Sequence, residues 1–178
     1  MNRYDIALGV KPEIIEKPVI EKPAAVSLTS YEVTLDTIQR NELDNIERLI
    51  AYNRTSSWIR DARNNHPPSM FRKLFATMRI GLPRRMGKTT IACVFYQAHP
   101  NTIIVAHSSD MQRDIRRRLL TLNLDHDPRV YNGKSPHSLR GIGADFVIVD
   151  EVDCISEEAL EILYNISAEY VILLGGVR

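Results

Sequence analysis

Leu82-Pro83-Arg84-Arg85-Met86-Gly87-Lys88-Thr89-Thr90 is the stretch on which the fold turns. Ala76–Gly81 before it reads as a strand, and Gly87–Gln97 after it as a helix. A strand, a short loop with a Gly-Lys-Thr turn and a helix form the arrangement that cradles phosphate groups. Backbone N–H groups of the loop and of the helix N-terminus point at the anion. Gly87 supplies a backbone free of Cβ, Lys88 an ammonium for the β- and γ-phosphates, and Thr89 a hydroxyl for Mg²⁺. The stretch departs from the usual pattern in one place. The position five residues before Gly87, with four residues between, is Leu82, and Gly81 is one residue too early.

Downstream, apolar strands alternate with amphipathic helices. Thr102–Ala106 reads as a buried strand, and Ser109 as the cap of a helix in which Met111, Ile115 and Leu119 recur. Asp145–Val149 reads as the next strand. Ser156 then caps a helix with Glu157 and Glu158 in its first turn, and Ile155 is placed to staple onto Leu160. Tyr170–Leu174 is the last strand. This rhythm predicts an α/β domain, a mainly parallel sheet with helices on both faces and right-handed crossovers.

The strand Phe146-Val147-Ile148-Val149 ends in Asp150-Glu151. A buried parallel strand delivers such acids to its carboxyl edge, where ligands bind in open α/β sheets. Asp150 is placed to hold Mg²⁺ through water, and Glu151 to orient or deprotonate an attacking water. The pair strengthens the phosphate-loop reading, and together they point to ATP hydrolysis. Asp153 is the next carboxylate in line should Glu151 not be the base.

Upstream of this core, residues 1–30 read as a tail rich in Pro, Glu and Lys, with Ile-Glu-Lys-Pro at Ile15–Pro18 and again at Ile20–Pro23. Proline favours extended, polyproline-like backbone there. The tail is either a docking arm or a solvated tether. Residues 31–178 form the ATPase domain, with a helical lead-in over 31–70 and the core over 71–178. In the lead-in, Thr34 is placed to cap a helix with Asp36 in its first turn, and Leu35, Ile38, Leu43, Ile46, Leu49 and Ile50 form a rough stripe. A shorter segment around Trp58 ends at Pro67-Pro68. Trp58 and Tyr52 pack on the protein or stack on a base.

The 178 residues suit about one domain. With 44% hydrophobic and 25% charged residues the composition is globular. Lys plus Arg is 23 and Asp plus Glu 22, a net charge of +1 that excludes a wholly basic nucleic-acid binder. Locally the balance breaks. Arg72 to Arg118 carries ten bases and two acids, and Asp145 to Tyr170 carries eight acids and no base. The cluster Arg113, Arg116, Arg117 and Arg118 is either a solvated helix face or a contact for DNA phosphates. Two cysteines, Cys93 and Cys154, are too few for a disulfide framework and suit a reducing cytoplasm. No apolar run approaches the ~20 residues that span a bilayer, and the first residues lack the apolar core of a secretion signal.

With these residues in place, the chain resembles the ATPase domain of viral large terminase subunits, RecA-like P-loop motors that package DNA. The resemblance covers roughly residues 77–176. It rests on Pro83-Arg84-Arg85-Met86-Gly87-Lys88-Thr89-Thr90, on Ile103-Ile104-Val105-Ala106-His107-Ser108, on Leu139-Arg140-Gly141 with Asp145 and then Asp150-Glu151, and on Leu173-Leu174-Gly175-Gly176. The last matches the family's coupling motif poorly, because the usual Thr or Ser is missing.

The resemblance implies ATP and Mg²⁺ as cofactors. It places ATP against Pro83, Arg84, Arg85, Met86, Gly87, Lys88, Thr89 and Thr90, and the metal at Thr89 and Asp150. It implies Glu151, Arg84 and Lys88 as catalytic residues, with Arg84 on the γ-phosphate and Arg85 its competitor for that role. As partners it implies double-stranded DNA, a homo-oligomeric ring or a complementing subunit, and a portal or small-subunit contact through the tail. No membrane is involved, and a viral protein would work in the host cytoplasm. The family's nuclease domain is not legible before Arg178, so the expectation is an ATPase alone, whether fragment, split-gene product or stand-alone. Two other uses of the same residues stay open. Asp150-Glu151-Val152-Asp153 also resembles the signature of helicase-like remodelling proteins, whose first ATPase lobe this would be. The third is a nucleotide-binding regulatory module without turnover.

Overall fold

A computed structural model of the chain describes residues 35–122 and 127–176. The Thr34 cap and the tail over residues 1–30 lie outside the described residues. In chain order the elements are α1 (Thr37–Thr55), α2 (Ser57–Asn65), α3 (Pro68–Phe75), β1 (Thr77–Gly81), α4 (Lys88–Ala98), β2 (Thr102–Ala106), α5 (Ser109–Thr121), β3 (Val130–Asn132), β4 (Gly143–Asp150), α6 (Glu157–Tyr164) and β5 (Ser167–Gly175). Short 3₁₀ turns lie at Pro136–Leu139 and Val152–Cys154. The strands form one five-stranded sheet in the order β1-β5-β4-β2-β3, and every pairing is parallel. The fold is thus of the expected α/β kind, a parallel sheet with helices on both faces.

Alternation along the strands builds two cores. Ile104 and Ala106, Phe146 and Ile148, and Tyr170, Ile172 and Leu174 face one side, where α1, α2, α4 and α5 contribute Ile46, Ile50, Ile59, Ile91, Phe95, Tyr96, Ile115 and Leu119. Ile103 and Val105, Val147 and Val149, and Val171 and Leu173 face the other side and meet Leu139, Leu163 and Tyr164. Burial on both faces explains why these strands read as unbroken apolar runs. The lead-in helices share the first core with the sheet.

Local chemistry corrects several expected boundaries. Asp36 is not in the first turn of α1 but is its N-cap, in a capping box with Gln39. The Asp36 side chain accepts from the Gln39 N–H at 2.9 Å, and Gln39 Oε1 accepts from the Asp36 N–H at 3.2 Å. Such a box contributes about 1 kcal/mol. The expected stripe on α1 is narrower than drawn. Leu43, Ile46 and Ile50 turn inward, and Ile38 and Leu49 are exposed. The segment around Trp58, α2, ends before Pro67-Pro68 as expected, and Pro68 then opens a further helix, α3, at a first-turn position that needs no N–H. Ser108, not Ser109, caps α5. Its hydroxyl accepts from the Met111 N–H at 3.2 Å. The Ser156 cap stands as expected, accepting from the Ala159 N–H. Strand β3 has no counterpart in the sequence reading. It is three residues long, too short for a period to register.

Trp58 is exposed and sits edge-on to Phe75 at 5.7 Å, a packing contact between α2 and α3. Among the described residues no helix is long and apolar enough to cross a membrane.

Candidate nucleotide site

Parallel pairing brings every strand's carboxyl end to one edge of the sheet. Gly81 pairs with Gly175, Asp150 with Leu174, and Ala106 with Asp150. The segments that leave this edge are the loop 82–87, the turn His107-Ser108, the turn Glu151–Cys154 and Gly176.

The loop begins as a continuation of the sheet. The Leu82 N–H donates to Gly175 O at 2.9 Å, and the Leu82 side chain is buried. The residue that replaces the expected glycine therefore anchors the loop to β5 and to the core. The loop then turns through Arg85, at φ 66°, and Gly87, at φ 75°. A Cβ on Gly87 would lie 1.9 Å from Gln39 Nε2, so α1 packs directly against the loop here. Gln39 Nε2 also donates to Met86 O over a long 3.5 Å.

Gly87 is the N-cap of α4 and offers no side chain to the first-turn N–H groups. Those donors are the orphans a phosphate satisfies at a helix N-terminus. Lys88, the first residue of α4, is only 7% exposed. Its Nζ makes one long contact, 3.5 Å to Leu82 O, and an ammonium has three donors to satisfy. A buried, under-used cation beside uncapped amides is a site suited to an anion. Arg84 and Arg85 are exposed, and neither has a hydrogen bond or ion pair among the described residues. Pro83 and Thr90 complete the loop and the first turn.

Across the edge, Thr89 Oγ1 donates to Asp150 Oδ2 at 2.7 Å. Asp150 is fully buried, and burial pushes its carboxyl above the usual carboxylate range. The neighbouring Glu151 charge adds to that rise, and the Thr89 hydroxyl, Lys88 and His107 oppose it. Asp150 Oδ1 is buried with no hydrogen-bond partner. A buried carboxylate oxygen left bare next to a threonine hydroxyl is an oxygen donor set for a hard cation such as Mg²⁺, so the residues present fit that metal.

Glu151 leaves the strand in the left-handed region, at φ 56° and ψ 58°. For a glutamate this conformation costs about 1 kcal/mol or more, and such strain clusters at functional sites. It turns the Glu151 side chain out of the strand's alternation. Asp153 is tied elsewhere, its Oδ2 accepting from the Gly176 N–H at 2.5 Å. That bond fastens the acidic turn to the exit of β5.

The expected residues thus converge on one edge. His107, Gln39 and Leu82 join them without a role assigned from sequence. For His107 a signal existed, since the first polar residue after a buried parallel strand lies at the carboxyl edge. Gln39 had none, being 47 residues from Met86.

Two of the four arginines of α5 pair within the helix, and Arg116 bonds to β3 with its Nε left without a partner among the described residues. Arg113 pairs with Asp110, Arg118 Nε donates to Asp114 at 2.8 Å, and Arg116 reaches Val130 O at 3.3 Å. The i,i+3 and i,i+4 pairs are those of a solvated helix face.

No family model matches the chain. No curated protein matches it either. Among solved structures it is similar to the ATPase domain of the large terminase of Thermus phage P74-26, with 19% identity and a TM-score of 0.42. A mutant of that domain gives 17% identity and the same TM-score. Each match takes in 62% of this chain and 64% of the other, so less than two thirds of those chains is spanned.

Proposed function

We propose that this chain is a Mg²⁺-dependent ATPase whose turnover drives a motor acting on double-stranded DNA. The observation that carries the hydrolytic part is the Thr89–Asp150 hydrogen bond. It couples the phosphate loop to the end of β4 across 61 residues, in the arrangement a nucleotide-bound metal needs. The motor part rests on the terminase-like motifs of the sequence.

In this reading Lys88 and the first-turn amides of α4 bind the β- and γ-phosphates. Pro83, Arg84, Arg85, Met86 and Gly87 wrap them, and Thr90 extends the helix contact. Thr89 and Asp150 would hold Mg²⁺, which when bound neutralises phosphate charge. Glu151 orients the attacking water and takes its proton. Arg84 or Arg85 stabilises the γ-phosphoryl group in transfer. An arginine in that role is worth up to ~10³–10⁵ in rate in other nucleotide hydrolases. The exposed, unpaired state of both arginines suits a site completed by a neighbour in a ring or by a complementing subunit. The tail would reach a portal or small subunit. A buried Cys93, its thiol pushed up to about 12 mainly by burial, and an exposed free Cys154 suit the reducing cytoplasm, that of the host for a viral protein.

The test is ATP turnover with Mg²⁺, with and without double-stranded DNA, over a range of protein concentration, for wild type and Glu151→Gln. Turnover that falls about 10²–10⁴-fold in Glu151→Gln and rises with DNA or concentration is the expected result. Equal turnover in the two proteins removes Glu151 from the mechanism. Nucleotide binding without turnover under every condition removes the motor.

A further inference from the structure

Among the described residues, two buried polar atoms at the carboxyl edge stand without partners, and both accept hydrogen bonds when the His107 proton is on Nε2. One is Asp150 Oδ1, and the other is His107 Nδ1. His107 follows Ala106, and Ala106 is the register partner of Asp150, so the imidazole leaves the sheet beside the strand end that carries the carboxylate. The Ser108 cap fixes the turn that holds the imidazole.

The chemistry of the pair is restrictive. An ionised carboxylate oxygen only accepts hydrogen bonds, and an imidazole nitrogen without its proton does the same. Each orphan costs about 1–3 kcal/mol when left bare in the interior. Both are satisfied at once by a donor with two protons. A water held on a divalent cation is such a donor, and Mg²⁺ usually keeps several of its waters.

We propose that His107 is a positioning residue of this site, its Nδ1 accepting a hydrogen bond from a metal-held water that also donates to Asp150 Oδ1. The inference rests on the nucleotide-site reading above and adds a residue to it. His107 touches neither phosphate nor the attacking water. It sets the orientation of the cation's shell, the part played by outer-shell partners at metal sites generally. The phosphate loop itself is left to Lys88 and the amides of α4.

The experiment is fluorescence anisotropy of a fluorescently labelled ATP on the full chain, in EDTA and then across a titration of free Mg²⁺. Wild type, His107→Ala, His107→Asn and His107→Gln are compared, with thermal melts in EDTA to verify folding. In EDTA the variants are expected to bind the nucleotide as wild type does. His107→Ala is expected to need about 10-fold more Mg²⁺ for half-maximal tightening. Asn presents an oxygen near the place of Nδ1 and is expected to restore the wild-type titration. Gln places its oxygen too far out and is expected to behave like Ala. If Ala does not fold, the Asn-against-Gln comparison decides in its stead. A wild type tightened by Mg²⁺ with His107→Ala superimposed on it overturns the role of His107 and leaves the nucleotide site standing. His107→Asn as impaired as His107→Ala overturns the hydrogen-bond role. A wild type that binds no nucleotide, or that Mg²⁺ does not tighten, overturns the site reading and this inference with it.

Discussion

Thr89 and Asp150, 61 residues apart, share a 2.7 Å hydrogen bond from hydroxyl to buried carboxylate. A bond to a charged group is worth about 1.5–3 kcal/mol, and here it also aligns two oxygens toward one spot. Thr89→Ala is expected to lose both the bond and the cation's second oxygen. Mg²⁺-dependent turnover should fall at least tenfold, and Thr89→Ser should retain most of it. Steady-state turnover against Mg²⁺ concentration checks this, and an unimpaired Thr89→Ala excludes the pairing from the chemistry.

Lys88 is buried with a single long contact, so most of its hydrogen-bonding capacity is available to a phosphate. Lys88→Ala is expected to weaken ATP binding by about 10- to 100-fold, the equivalent of ~1.5–3 kcal/mol. Equilibrium titration measures it. Unchanged affinity would contradict the phosphate-loop assignment.

Asp150 carries its cost in the empty protein. Its carboxyl is raised by burial, so the folded state holds the proton more tightly than the unfolded chain does. Stability from this group is therefore greatest at low pH. It is lost as pH rises from the unfolded carboxylate value through the raised folded one. Asp150→Asn removes the buried charge. The variant is expected to melt higher than wild type at neutral pH without metal, to lack that part of the pH dependence, and to have lost Mg²⁺-dependent turnover. Thermal melts across the acid range would refute this if both proteins lost stability in parallel.

Gly87 combines a left-handed backbone with a close approach by Gln39. Gly87→Ala meets both obstacles. The backbone term costs about 1–2 kcal/mol. A destabilisation of 1 kcal/mol shifts Tm by roughly 2–4 °C in a chain of this size. Adding Gln39→Ala should relieve the clash with Nε2 and leave the backbone term. Full recovery in the double variant would show that the glycine is needed only for space.

The residues of the site were legible because their chemistry is carried in short runs. Gly87-Lys88-Thr89 and Asp150-Glu151 announce themselves by residue type, the first in the loop that follows β1 and the second where the apolar run of β4 ends. Leu82 looked like a defect in the loop. It is instead the residue that continues β1 onto β5 through the bond to Gly175 O. Asp153 looked like a spare base, and the Gly176 N–H occupies it. Neither assignment could come from the run itself, because each partner lies on another strand's end.

The sequence by itself determined the α/β rhythm, the candidate phosphate loop and the acidic strand end, since these follow from local period and local residue chemistry. The tertiary structure alone decided the strand order, with β5 inserted between β1 and β4. That order sets which ends meet, and so it set Ala106, the residue before His107, against Asp150, while the packing of α1 brought Gln39 against Gly87. Parallel pairing and two-sided burial are non-local. Their register is fixed by how side chains from distant segments fill two cores, and no window along the chain contains that information.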